Sequence, residues 1–88
     1  MHYILFYEYV ADVAERREPH RAAHLSLLRE LHEQGKLVMA GAYTDPLDGA
    51  ALVFTDRAAA ESFVTDDPYI ANGIVSQHRI REWNVIVG

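Results

Sequence analysis

The feature that most constrains this chain is its first segment. Tyr3-Ile4-Leu5-Phe6-Tyr7-Glu8-Tyr9-Val10 is rich in aromatic and β-branched side chains, the composition of a strand. Its odd positions are Tyr3, Leu5, Tyr7 and Tyr9, and its even positions are Ile4, Phe6, Glu8 and Val10, so both faces are largely apolar. A strand with one wet face alternates apolar and polar residues; this one does not, and its sheet needs cover on both sides. A chain of 88 residues holds one core, so it reads as a single domain over residues 1–88.

The rest of the chain supplies cover for one face. Ala11 to Glu18 reads as a polar connection. Pro19 fits the first position of a helix, where its missing N–H is not needed, and the helix runs to Gln34 with Gly35 as its cap. Ala23, His24, Leu27, Leu28 and Leu31 recur at helical spacing and form its apolar stripe. Leu37 to Tyr43 and Ala50 to Phe54 read as strands joined through the turn-rich Thr44 to Gly49, an antiparallel hairpin. Thr55 or Asp56 caps a second helix from Arg57 to Val64. Asp67, Pro68 and Gly73 mark the cap, first position and stop of one more helical turn. A last strand takes most of Ile74 to Val87, long enough for a bulge.

This order, β-α-β-β-α-β, predicts an α+β, ferredoxin-like fold with a four-stranded antiparallel sheet. Two helices cover one face. The Tyr and Leu residues of the first strand, with Trp83, Val85 and Val87 of the last, are candidates for the other. A homodimer packed through that sheet face is the simplest cover.

Composition narrows the partners. A formal charge of −5 without a basic cluster argues against nucleic acid and anionic membranes. The absence of cysteine removes disulfides, thiolate metal sites and cysteine nucleophiles. No signal-peptide or membrane-spanning pattern is evident, and the expected location is cytoplasmic.

His24 is the residue with the most chemical content. A titratable ring in the middle of an apolar helix stripe must find a partner or face a cavity. It reads either as a packed core histidine or as a general acid–base. His20 precedes it by one turn, but Arg21 stands between the two and no third ligand is evident, so no metal is expected. Asp67 reads first as a helix cap, and a carboxylate there can also orient an imidazole. Arg16, Arg17 and Arg21 are either a solvated patch or a seat for an anionic group. Tyr7, Tyr9 and Tyr43 read as strand packing residues or as hydroxyls in a cleft. No phosphate loop, nucleophile elbow or dinucleotide fingerprint is present, and no cofactor is expected.

Arg21-Ala-Ala-His24-Leu25, followed by Leu28, Leu31, Gly35, Leu37 and Ala40-Gly41, resembles the first half of the YciI-like (YCII-related) family. Asp67-Pro68-Tyr69, Gly73-Ile74-Val75 and Trp83 resemble its second half. The resemblance implies sheets paired as a dimeric α+β barrel. It also implies a cleft holding His24 and Asp67 as an acid–base pair, with Arg17 and Arg21 near it; Tyr7 and Tyr43, read as strand hydroxyls, are candidate ligand contacts. Two stretches depart from the family pattern: Ala42-Tyr43 stands where many members have proline after Ala-Gly, and the connection from Thr44 to Gly49 is short. The functional expectation is a cofactor-independent lyase or isomerase acting on a small anionic or phenolic metabolite. The alternatives are a non-catalytic metabolite-binding module and a purely structural dimer.

Overall fold

The computed structural model describes residues 1–88. Strand β1 spans His2–Tyr9, β2 Leu37–Ala42, β3 Gly49–Phe54 and β4 Val75–Trp83. The helices are α1 (Val13–Arg16), α2 (Arg21–Glu33), α3 (Arg57–Asp66) and α4 (Pro68–Ala71), with a 3-10 turn at Glu18–His20. The four strands form one antiparallel sheet in the order β2-β3-β1-β4. The fold is the expected α+β, ferredoxin-like one, of the dimeric α+β barrel type. No helix is long and apolar enough to cross a membrane.

The register decides which residues of β1 are covered. Leu5 lies opposite Leu52 and Ile80, and Tyr7 opposite Ala50 and His78. Leu5 and Tyr7 are buried under the helices with Leu37, Leu52, Phe54, Ala60 and Phe63, forming the main core. The uncovered face therefore carries Ile4 and Phe6 of β1, not the Tyr and Leu residues that the sequence offered for it. Ile4 pairs with Val53 and Arg81, Phe6 with Ala51 and Arg79, and His2 with Trp83, which puts Trp83 on this face as expected. Val85 and Val87 fall beyond the end of β4. The two faces of β1 look alike in composition, and only the helices' side chains choose between them.

Several boundaries differ from the sequence expectation. Ala11 to Glu18 is not a plain connection: it contains α1, whose Val13 is buried with Tyr69 and Ile74 in a second small core. Pro19 falls in the 3-10 turn, and regular α-helix starts at Arg21. In α2, Leu27, Leu28 and Leu31 pack on the core while Ala23 is exposed. His24 is the one residue of that helix that is fully buried.

The helix ends follow local rules. Gly35 takes φ +75° and Gly73 φ +69°. Their left-handed conformation lets Lys36 N–H reach Leu31 O at 3.0 Å and Ile74 N–H reach Tyr69 O at 3.0 Å, closing both helices. Asp56 caps α3 by accepting from Ala59 N–H at 2.7 Å. Asp67 precedes a proline, which disfavours helical backbone at that residue. It takes φ −71°, ψ 120°, ending α3 and starting α4 in one step. That break turns the Asp67 side chain into the protein.

Candidate active site

The break at Asp67 sets up the polar centre of the molecule. Its carboxylate is completely buried and meets three donors. His24 Nδ1 lies 2.7 Å from Oδ1, the Tyr7 hydroxyl donates to Oδ2 at 2.7 Å, and Tyr69 N–H donates to Oδ1 at 3.1 Å. A buried charge is tolerable when its lone pairs are filled in this way. The donors come from β1, α2 and α4, so the carboxylate ties the sheet to two of the helices that cover it.

An ionised carboxylate only accepts, so Nδ1 of His24 carries the proton in this arrangement. Nε2 then holds the lone pair. It makes no hydrogen bond within the chain and is not a sealed, orphaned atom. The imidazole is held flat against Tyr69, with ring centres 3.7 Å apart and planes 3° from parallel, and Phe63 meets it edge-on at 6.0 Å. The ring thus has a fixed tautomer and a fixed plane.

His24 lines a cleft of about 210 Å³ between α2 and the strands β2 and β3. Small residues, Ala40, Gly41, Ala42 and Ala50, line it on the strand side, together with Arg17, Arg21, Tyr9 and Tyr69. Arg17 Nε is buried there without a partner in the chain. Arg16 points elsewhere, reaching Asn72 O at 3.4 Å. Burial, then the nearby Tyr69 and Asp67, push the Tyr9 hydroxyl up to about 12, against the opposing pull of Arg17 and Arg21. Burial also raises Tyr69, with the same two arginines opposing. Burial raises Tyr7 further still, reinforced by the Asp67 charge and hydrogen bond, so that it remains a proton donor.

The structure brings His24, Asp67, Arg17 and Arg21 together. Tyr7 joins them from below, at 1% exposure, with its hydroxyl on Asp67 and not in the cleft. Tyr43 lies elsewhere: it lines a separate recess of about 440 Å³ with Phe6, Glu8, Asp48 and Arg79. Tyr69 is the site residue that sequence reasoning missed. Its signals were its place two residues after a capping Asp, which reads equally well as packing, and its part in the Asp67-Pro68-Tyr69 run of the family resemblance, which assigned it no role. His20 ends the 3-10 turn, and no set of three His, Asp or Glu side chains converges into a metal-holding cluster.

Residues 1–84 match the family model of the YCII-related domain. The chain belongs to that family. The proteins named YciI of Escherichia coli O6:H1 and Shigella flexneri are each 30% identical to it over 97 residues, spanning 98% of this chain and 99% of theirs. Among solved structures, it is similar to the 5-chloro-2-hydroxyhydroquinone dehydrochlorinase TftG of Burkholderia phenoliruptrix, in complex with 2,5-dihydroxybenzoquinone. That likeness has a TM-score of 0.79 at 20% identity, over 96% of this chain and 94% of that one. A protein of Bacteroides thetaiotaomicron described as an antibiotic biosynthesis monooxygenase matches with a TM-score of 0.63 at 14% identity, over 99% and 90% of the two chains. At these identities the structural likenesses establish the shared fold.

Proposed function

We propose that this YCII-related protein is a cofactor-independent acid–base enzyme of lyase or isomerase type, acting on a small anionic or phenolic metabolite. One observation carries this reading: His24 is fixed through Nδ1 to a buried carboxylate, Nε2 has no partner in the chain, and the residue lines a cleft together with Arg17 and Arg21. In the reaction, Nε2 takes a proton from the substrate and Asp67 stabilises the imidazolium that results. The electron pair left behind either expels a leaving group as a new double bond forms, or is reprotonated at another position. The guanidiniums hold the substrate's negative charge, and the partnerless Arg17 Nε is a donor ready for it. The small residues that line the cleft suit a flat ring, and the quinone complex of the TftG neighbour supports that class of ligand.

We further place the working unit as a homodimer in the cytoplasm. Ile4, Phe6, Met39 and Trp83 lie on the uncovered sheet face, and Met39 and Trp83 are 64% and 46% exposed. The chain lacks cysteine, in keeping with a reducing compartment.

The test is a panel of hydroxyquinones, phenols and small carboxylic acids, followed by NMR in deuterated water. The expected result is turnover or solvent-deuterium incorporation that His24→Ala abolishes. A ligand bound equally by the native protein and His24→Ala, with neither turnover nor exchange, would instead establish a non-catalytic binding module.

A further inference from the structure

Tyr7 does no packing that phenylalanine could not do, yet its hydroxyl lies at the centre of the polar cluster. The ring is wedged between Phe63, at 6.4 Å and 27°, and Tyr9, at 6.3 Å and 58°, so packing sets the direction of the hydroxyl. It is the one group in the chain that donates to Oδ2 of Asp67; Oδ1 is taken by His24 and Tyr69 N–H. Because Tyr7 does not line the cleft with His24, any influence on the chemistry there runs through the carboxylate.

We infer that Tyr7 is a positioning residue: its hydroxyl locks the Asp67 carboxylate and tempers that carboxylate's pull on the His24 imidazole. Two physical effects follow from the one hydrogen bond. Without a donor on Oδ2 the carboxylate is held through Oδ1 alone, by His24 and Tyr69 N–H, and its plane is less firmly fixed. A phenol also shares part of the carboxylate's negative charge, so removing it concentrates that charge on the remaining partners. Hydrogen bonds to the charged form of an acid lower its proton affinity; deleting one strengthens Asp67 as an acceptor and favours the imidazolium. Tyr7 can play this part across the range where histidine titrates, because burial and the Asp67 charge keep its own proton in place.

The other groups around His24 are Asp67 and Tyr69 from α4 and its cap, Tyr9 from β1, Arg17 from between α1 and the 3-10 turn, and Arg21 at the start of its own helix. Glu18 acts on the Tyr69 side. All of them remain when Tyr7 alone is changed, so a change in the histidine's behaviour reports the hydroxyl.

The inference rests on reading His24 as the proton carrier, but its test reads proton affinity and tautomer, not turnover. A protein without enzymatic activity still gives a result. The His24 ring protons and nitrogens are followed by NMR against pH in the native protein and in Tyr7→Phe, with the other four histidines as internal references. The expected result is an upward move of the His24 titration midpoint by about half a unit to one unit. Nitrogen shifts should also show a less uniform Nδ1–H tautomer. A difluorotyrosine placed at position 7 keeps the shape of the ring and makes a stronger donor, so the midpoint should move down. An unchanged midpoint and tautomer in a folded Tyr7→Phe variant overturn the inference. If that variant does not fold, the fluorinated protein decides: a downward move supports the inference, and no move or an upward one ends it.

Discussion

Asp67→Ala should destabilise the fold far more than His24→Ala, although the two side chains share a single hydrogen bond. The asymmetry follows from the donor count. Removing the imidazole takes one charge-assisted bond from Oδ1, but Tyr69 N–H and the Tyr7 hydroxyl still satisfy the carboxylate. The space left behind borders the cleft, where water can enter. The expected loss is about 2 kcal/mol, with the stacking on Tyr69 included. Removing the carboxylate instead leaves a phenol at 1% exposure without an acceptor, at about 1–3 kcal/mol. It also deletes the cap of α4, at about 1 kcal/mol, and strips His24 of its partner, at about 1.5–3 kcal/mol. These contributions are not additive, yet even at the low end they sum to about 3.5 kcal/mol. Domains of this size are stable by only about 5–15 kcal/mol, so Asp67→Ala sits near the edge of folding. Urea unfolding followed by circular dichroism measures both variants on one scale. Equal losses, or a larger loss for His24→Ala, would refute the view that Asp67 is the hub and His24 its outward-facing partner.

Stability should also fall at high pH. The folded protein holds the Tyr9 proton more tightly than the unfolded chain does, from an ordinary 10.0 up to about 12, so this stabilisation is complete below about pH 10 and is lost as pH rises through about 12. Tyr7 and Tyr69 are raised in the same direction and add to the effect. Thermal melts should drop steadily over that window while tyrosinate absorbance lags behind that of the unfolded chain; a flat profile would contradict the burial of these hydroxyls. Phe6→Glu should separate the proposed dimer without unfolding the protomer, weakening self-association at least about 100-fold, since it replaces an apolar ring of the uncovered sheet face with a carboxylate that a packed interface would have to strip of water. Sedimentation reads it: a native protein that is monomeric at micromolar concentration, or a variant as dimeric as the native one, would sink the sheet-face dimer.

Local physics was written plainly in the sequence. The helix stops at Gly35 and Gly73, the caps at Asp56 and Asp67, and the order of strands and helices along the chain followed from turn chemistry, proline geometry and periodicity, none of which needs a distant partner. His24 stood out for the same reason, a titratable ring on an apolar stripe. Long-range choices were not legible. Leu5 and Tyr7 or Ile4 and Phe6 could equally have faced the helices, because β1 is apolar on both sides, and only packing against Leu52, Phe54 and Phe63 selected the odd residues. Val13 looked like part of a polar connection until Tyr69 and Ile74 closed over it. The meeting of Tyr7, His24 and Asp67 joins positions 60 and 43 residues apart. No sequence pattern encodes such a distance, because hydrogen bonds at that separation exist only once the helices have packed on the sheet. The sequence determined which groups could do chemistry, and tertiary structure alone decided that Tyr7 serves the carboxylate while Tyr43 lies apart from it.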